Sequence, residues 1–190
     1  MIEIRIHGRG GQGSVTAAEL LGFAAFNAGK YVQAFPSFGS ERMGAPVRAF
    51  LRIAEKEIRV HSQIYTPDYV IVQDPTLLAT VPVLQGLKPD GVVIINTKKT
   101  PEELNLDTKC KVITFDAWEI ATRVIGRPIA NTILMGAFAA ASGQIPFEGI
   151  EKAINARFKG EIAKKNIAAA KEAYELVKGG KNESKSRSNS

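Results

Sequence analysis

Cysteine is almost missing from this chain, with Cys110 standing alone. One thiol excludes an internal disulfide and leaves no cysteine cluster for zinc or an iron–sulfur centre. Histidine is as scarce: His7 and His61 lie far apart, which argues against a first-row metal site. No apolar run approaches the roughly 18 residues of a membrane span, and the N-terminus opens directly on a strand pattern rather than a signal peptide. These absences lead us to expect a cytoplasmic protein with no membrane segment. A nucleophile–base pair is missing too. Cys110 sits between Lys109 and Lys111, which favours a thiolate, yet a lone cysteine before a buried strand reads first as packing. The charge excess is modest: of the net +6, +3 falls in residues 178–190. A mildly basic folded part suits a polyanionic small molecule or an acidic partner and does not require nucleic acid.

What remains is an ordinary globular composition, 45% apolar and 23% charged over 190 residues, enough for one well-filled domain. Its first thirty residues organise the rest. Ile2, Ile4 and Ile6 alternate with Glu3, Arg5 and His7 and predict a short strand. Gly8-Arg9-Gly10-Gly11-Gln12-Gly13 follows, and then an apolar stretch from Val15 to Phe26 that predicts a helix, with Ser14 or Gly13 as its N-cap and Gly29 ending it. Strand, glycine turn and helix together make a phosphate cradle, because the free N–H groups and dipole of a helix start favour an anion.

Gly8, Gly10 and Gly13 fit G-x-G-x-x-G, a pattern that alone is weak. A dinucleotide site would add an acid about 20 residues on, but Lys30 to Pro36 carries none, and the first is Glu41. Three readings stay open: a dinucleotide site, a tight turn of purely structural use, and a site for another phosphate-bearing ligand. Arg9 or Arg42 would be the groups to accept an NADP 2′-phosphate.

Further along, Tyr31–Phe35 predicts a strand leading into a loop that contains Ser37, Gly39, Glu41 and Arg42. Residues 47–53 and 58–63 predict an antiparallel hairpin with Arg48, Arg52 and Arg59 on its wetter face. Residues 68–74, 91–97 and 111–115 read as strands buried on both sides. Asp74 and Asp116 are placed to cap helices over 76–84 and 117–125. After the break at Gly126-Arg127-Pro128, Asn131 introduces a helix apolar on nearly every side, suited to its own core or to another subunit. Two amphipathic helices follow, the second over 161–177 with Ile162, Ile167, Ala169, Ala170, Tyr174 and Val177 as its stripe. The expected fold class is therefore α/β: a three-layer, Rossmann-like domain over 1–178 with a mostly parallel sheet and one antiparallel hairpin, then a disordered polar tail over 179–190. His7 lies at the mouth of the glycine loop as either a phosphate contact or a structural residue, and Arg42 offers a planar donor fork to phosphate, carboxylate or a subunit. Asn131 is an N-cap whose side chain would face the same cleft. A phosphate cradle without a catalytic constellation suggests one component of a larger enzyme.

Three ordered motifs, Gly8–Gly13, Ala34–Pro46 and Asn131–Ala137, resemble those of the gamma subunit of pyruvate (2-oxoacid):ferredoxin oxidoreductases, in the form shared by pyruvate and 2-ketoisovalerate enzymes of anaerobes. The resemblance spans roughly residues 1–178. It implies partner alpha, beta and delta subunits carrying thiamine diphosphate, magnesium and [4Fe–4S] clusters, and conversion of a 2-oxoacid and coenzyme A to acyl-CoA and carbon dioxide with reduction of ferredoxin. The gamma unit is implied to help hold coenzyme A, which needs no ribose-binding acid. Carried onto this sequence, Gly8, Arg9, Gly10, Gly11, Gln12 and Gly13 would meet the pyrophosphate, with Ser37, Gly39, Arg42 and Asn131 nearby and no catalytic residue in the chain. Glu41-Arg42 stands where single-chain relatives carry a lysine pair, and Met43 where many relatives carry Arg, Thr or Gly.

Overall fold

Alternation along the first strand sorts its side chains onto two faces that are covered very differently. The computed structural model describes residues 1–37 and 42–180. β1 (Ile2–Arg9) lies inside a six-stranded sheet of order β2-β3-β1-β4-β5-β6, where β2 is Tyr31–Pro36, β3 Pro46–Ala54, β4 Tyr69–Val72, β5 Val92–Asn96 and β6 Lys111–Phe115. β1, β4, β5 and β6 run parallel, while β3 runs antiparallel to both β1 and β2. The expected α/β fold with a mostly parallel sheet and an antiparallel pair is the one observed.

One face of the sheet presents Ile4, Ile6, Leu51, Ile53, Ile71, Ile94 and Ile113 to the main core. Over it pack α1 (Ser14–Asn27), α3 (Ala117–Ile120), α4 (Asn131–Ser142), α5 (Phe147–Arg157) and α6 (Gly160–Lys178). The opposite face is split. Val70, Val72, Val93, Ile95 and Val112 form a second apolar cluster under Leu77, Val83, Leu87 and Leu104, supplied by a 3-10 turn over Pro75–Ala79, the segment after it and the one-turn α2 (Pro101–Leu104). Beneath β1 and β3 the same face is polar. Arg52, 1% exposed, donates to Glu3 Oε1, Gln33 Oε1 and the Ser62 carbonyl, each at 2.8 Å. Arg5 donates to His7 Nε2 and to the Val83 and Gln85 carbonyls.

Four local expectations are corrected. The hairpin is β2–β3; residues 58–63 form no strand, because both edges of β3 are already taken by β1 and β2. Arg52 is therefore buried in an ion-paired network, whereas Arg48 and Arg59 are exposed. Asp74 caps a turn with Pro75 at its first position, but the turn ends at Ala79, short of Pro82, which cannot continue a helix. Ile162 is 60% exposed, and the buried stripe of α6 is Ala163, Asn166, Ala169, Ala170, Ala173 and Val177. Small residues there bring α6 against α4, whose residues from Asn131 to Ala139 are all buried in the protein's own core. The expected disorder of the tail concerns residues that, from Lys181 onward, lie outside those described.

Candidate functional site

The glycine loop leaves the carboxyl end of β1, where the strand has antiparallel β3 on one side and parallel β4 on the other. Such a reversal of neighbours opens a crevice at the strand ends. Much of the loop is occupied by the protein itself. Gly10 N–H donates to the Ala45 carbonyl at 2.9 Å, Gly44 N–H donates to the Gly10 carbonyl at 3.1 Å, and Gly10 bridges to Met43. A Cβ on Gly10 would overlap the Arg42 carbonyl group, its carbon only 2.9 Å away. Gly10 is thus required by the neighbouring loop, backbone against backbone.

Arg9 is likewise tied down. Its guanidinium donates to the Gly44 carbonyl at 3.0 Å and to Thr76 Oγ1 at 2.7 Å, and it pairs with Asp74 at 3.3 Å. Gln12 closes the loop by accepting from Arg9 N–H at 2.7 Å and donating to Asp74 Oδ2 at 2.8 Å. Burial alone would raise the Asp74 pKa, but the hydrogen bonds from Thr76 and Gln12 and the nearby Arg9 outweigh it and hold the carboxyl below its usual range. His7, 2% exposed, is pushed down to about 3 by burial first and then by the charges of Arg5 and Arg48. It is a neutral acceptor for Arg5, which decides its role as structural.

The open part of the cradle is the start of α1. Gly13, at φ 76, serves as its N-cap without a side-chain hydrogen bond, and the helical ladder begins only with Ala17 N–H to the Gly13 carbonyl. The N–H groups of Ser14, Val15 and Thr16 therefore have no backbone acceptor among the described residues. In front of them lies a groove of ≈ 580 Å³. Gly11, Gln12, Gly13 and Thr16 form one bank; Arg127, Ile129 and Asn131 form the second; Arg157, Phe158, Glu161, Ile162 and Lys165 form the third. Arg127, Arg157 and Lys165 are exposed and make no ion pair among the described residues, while Glu161 pairs with Lys164. Three free cations beside a helix start favour a multiply charged anion.

Of the residues singled out from sequence, Gly11, Gln12, Gly13 and Asn131 border this groove, Asn131 as the first residue of α4 and not as its expected N-cap, a place taken by Ala130. Gly8, Arg9 and Gly10 brace the loop behind it. Ser37 N–H donates to the Arg48 carbonyl at the end of β2, and exposed Arg42 accepts from Ala45 N–H through its own carbonyl; neither lines the groove. Gly39 lies outside the described residues. Nothing in the sequence marks the cations Arg127, Arg157 and Lys165 as a set. Arg127 is delivered by a π-helical turn over Ala121–Ile125 that ends at Gly126, φ 91, so the Gly126-Arg127-Pro128 break was its one visible signal. Asp116 is, as expected, the cap of α3, accepting from Glu119 N–H at 2.9 Å. Cys110 donates to the Lys88 carbonyl. Among the described residues no three His, Cys, Asp or Glu side chains are grouped to hold a metal ion, and no helix is long and apolar enough to cross a membrane.

Residues 3–176 match the family model of pyruvate ferredoxin/flavodoxin oxidoreductase. The chain is 60% identical to a pyruvate synthase subunit PorC of Methanosarcina barkeri, over 94% of this chain and 98% of that one. It is 56% identical to the pyruvate/ketoisovalerate oxidoreductases common subunit gamma of Thermococcus litoralis, over 92% and 96%. The crystal structure of the pyruvate oxidoreductase subunit PORC from Thermotoga maritima superposes with a TM-score of 0.81 at 41% identity, over 92% of this chain and 95% of that one. The family match covers nearly the whole described chain, glycine loop and groove included, and the chain belongs to the pyruvate ferredoxin/flavodoxin oxidoreductase family as a gamma subunit of that oxidoreductase.

Proposed function

We propose that this subunit holds coenzyme A for a cytoplasmic 2-oxoacid:ferredoxin oxidoreductase, which converts a 2-oxoacid, coenzyme A and oxidised ferredoxin to acyl-CoA, carbon dioxide and reduced ferredoxin. One observation carries the reading: the first turn of α1, whose N–H groups have no backbone acceptor among the described residues, opens onto a groove with three cations unpaired among those residues and one carboxylate already engaged. Coenzyme A has a pyrophosphate and a 3′-phosphate, matching that excess. The pyrophosphate accepts from the first-turn N–H groups, and Arg127, Arg157 and Lys165 neutralise the remaining charge. Ile129, Phe158 and Ile162 give the adenosine an apolar wall. Holding the nucleotide end fixes the thiol arm's origin and so its approach to the acyl group. Thiamine diphosphate with magnesium and iron–sulfur clusters, on alpha, beta and delta partner subunits, supply decarboxylation and electron transfer. The dinucleotide alternative is weakened because Asp74, the acid at the end of the parallel neighbour of β1, is taken up by Thr76, Gln12 and Arg9.

The test uses the whole complex, isolated without oxygen and assayed for viologen reduction with a panel of 2-oxoacids. Reduction should depend on coenzyme A. Arg157→Gln with Lys165→Gln should raise the KM for coenzyme A about tenfold or more and leave that for the 2-oxoacid in place. An unchanged KM for coenzyme A would overturn the assignment.

A further inference from the structure

Behind the groove, and sharing Gly11, Gln12, Ile129 and Asn131 with it, lies a smaller pocket of ≈ 80 Å³ that also touches Gln73 and Trp118. Gln73 follows β4 and is 2% exposed. Its Oε1 accepts from the Ser14 hydroxyl at 2.6 Å, which orients the amide and leaves the NH2 end as the free one. Gln73 Nε2 is the buried side-chain polar atom without a hydrogen-bond partner among the described residues. Leaving a donor unsatisfied inside a protein is costly, so a native one needs an explanation. The surroundings of this amide are built with some care. A Cβ on Gly8 would come within 2.5 Å of Gln73 Oε1 and collide with Ser14, so Gly8 is required for the Ser14–Gln73 pair. The Gln73 backbone is pinned as well, with N–H donating to the His7 carbonyl at 2.8 Å and the carbonyl accepting from Asn96 Nδ2 at 2.9 Å.

The chemistry of the occupant follows from charge. No lining residue of the small pocket is charged, and Trp118, Pro128, Ile129 and Ala130 supply its apolar wall. The adjoining charge is Asp74, a carboxylate tied to Gln12. A phosphoryl dianion would lose its water there without gaining a counter-ion, whereas a neutral carbonyl needs only a donor. The volume suits one small amide group. We infer that Gln73 Nε2 is a recognition donor for a neutral amide carbonyl on the arm of the ligand whose phosphates occupy the outer groove. The inference rests on the coenzyme A reading, since the pantetheine arm carries two such amides. It divides the site into a charged outer part that reads phosphates and an uncharged inner part that reads the arm, making Gln73 a specificity residue for the arm.

The experiment compares two probes on the assembled complex by titration calorimetry: coenzyme A, and adenosine 3′,5′-bisphosphate, which keeps the 3′-phosphate and the inner 5′-phosphate and loses the outer 5′-phosphate with the arm. Gln73→Met removes the donor at similar length, and Gln73→Glu keeps an acceptor for Ser14 while replacing the NH2 with an anionic oxygen. Both should weaken coenzyme A about fivefold to tenfold and leave adenosine 3′,5′-bisphosphate unaffected. Equal weakening of both probes would show that Gln73 only supports the fold or the phosphate end, and unchanged affinities would show a pocket filled by water; either result overturns the inference. A wild-type complex that binds neither probe would overturn the coenzyme A assignment itself. An independent readout needs no substitution. Trp118 is the single tryptophan of the chain, so coenzyme A and pantetheine should shift the emission of the full chain, and adenosine 3′,5′-bisphosphate should not. The reverse pattern counts against the inference.

Discussion

Replacing Gly136 with alanine sets two effects of known sign against each other. Gly136 lies in the middle of α4, where alanine should stabilise an isolated helix by about 1 kcal/mol. In the folded protein α6 crosses at this point. A Cβ on Gly136 would overlap the Ala170 carbonyl oxygen and stand 2.8 Å from its carbon and 3.1 Å from Ala170 Cα. The obstacle is backbone, so no rotamer change relieves it, and the helices must separate by something on the order of 1 Å. Overpacking of this kind costs about 1–3 kcal/mol, and a blocked backbone belongs at the upper end. The clash therefore wins, and Gly136→Ala should be destabilised by about 2 kcal/mol net, or a fall in Tm of about 4–8 °C for a chain of this size. Urea and thermal unfolding of the full chain measure this. The shift should also reach the groove, because α6 carries Ile162 and Lys165 on one bank and α4 carries Asn131 on another, so the KM for coenzyme A should rise. A variant as stable as the parent, or more stable, would refute the close-packing argument.

Three further outcomes follow. His7 is neutral when folded, so protons bind the unfolded chain more readily from its ordinary pKa of 6.5 down to about 3. Stability is complete above 6.5 and falls on acidification, by about 2 kcal/mol at pH 5 from this group alone; His7→Gln should flatten that part of the unfolding profile, and parallel profiles would contradict it. Arg52→Ala should cost about 3–5 kcal/mol, because Glu3 and the Ser62 carbonyl lose a buried partner. A loss below about 1 kcal/mol in chemical denaturation would show that water replaces the guanidinium. Gly10→Ala should loosen residues 42–46, seen as faster hydrogen exchange at Gly44 N–H, which is bonded to Gly10; unchanged exchange would deny the loop-to-loop role.

Period-two alternation in β1 and the apolar runs of β4, β5 and β6 located the sheet, since burial on one or two faces is written directly into side-chain type. Alternation alone does not locate the hairpin, because residues 58–63 alternate as convincingly as Tyr31–Pro36 and only pairing capacity distinguishes them: β3 has two edges, both occupied. Gly10 and Gly8 stand out in sequence as glycines, but the motif does not say whether a ligand or the protein itself presses on them. Here the Arg42 carbonyl and the Ser14–Gln73 pair do. Arg127, Arg157 and Lys165 were hidden because each is an ordinary surface cation on its own element. They become a set only when a π-turn, the end of α5 and the second turn of α6 meet in front of α1. Gln73 was hidden for a related reason, as an unbonded amide cannot be seen before its neighbours are placed.

The central claim is that coenzyme A lies between the start of α1 and the bank formed by α5 and α6. A photoreactive coenzyme A with its reactive group on the adenine, bound to the oxygen-free complex, illuminated and mapped by peptide mass spectrometry, tests it most directly. Label should appear within residues 127–131 and 157–165 of this subunit and be displaced by excess coenzyme A. Displaceable label confined to the partner subunits would contradict the account.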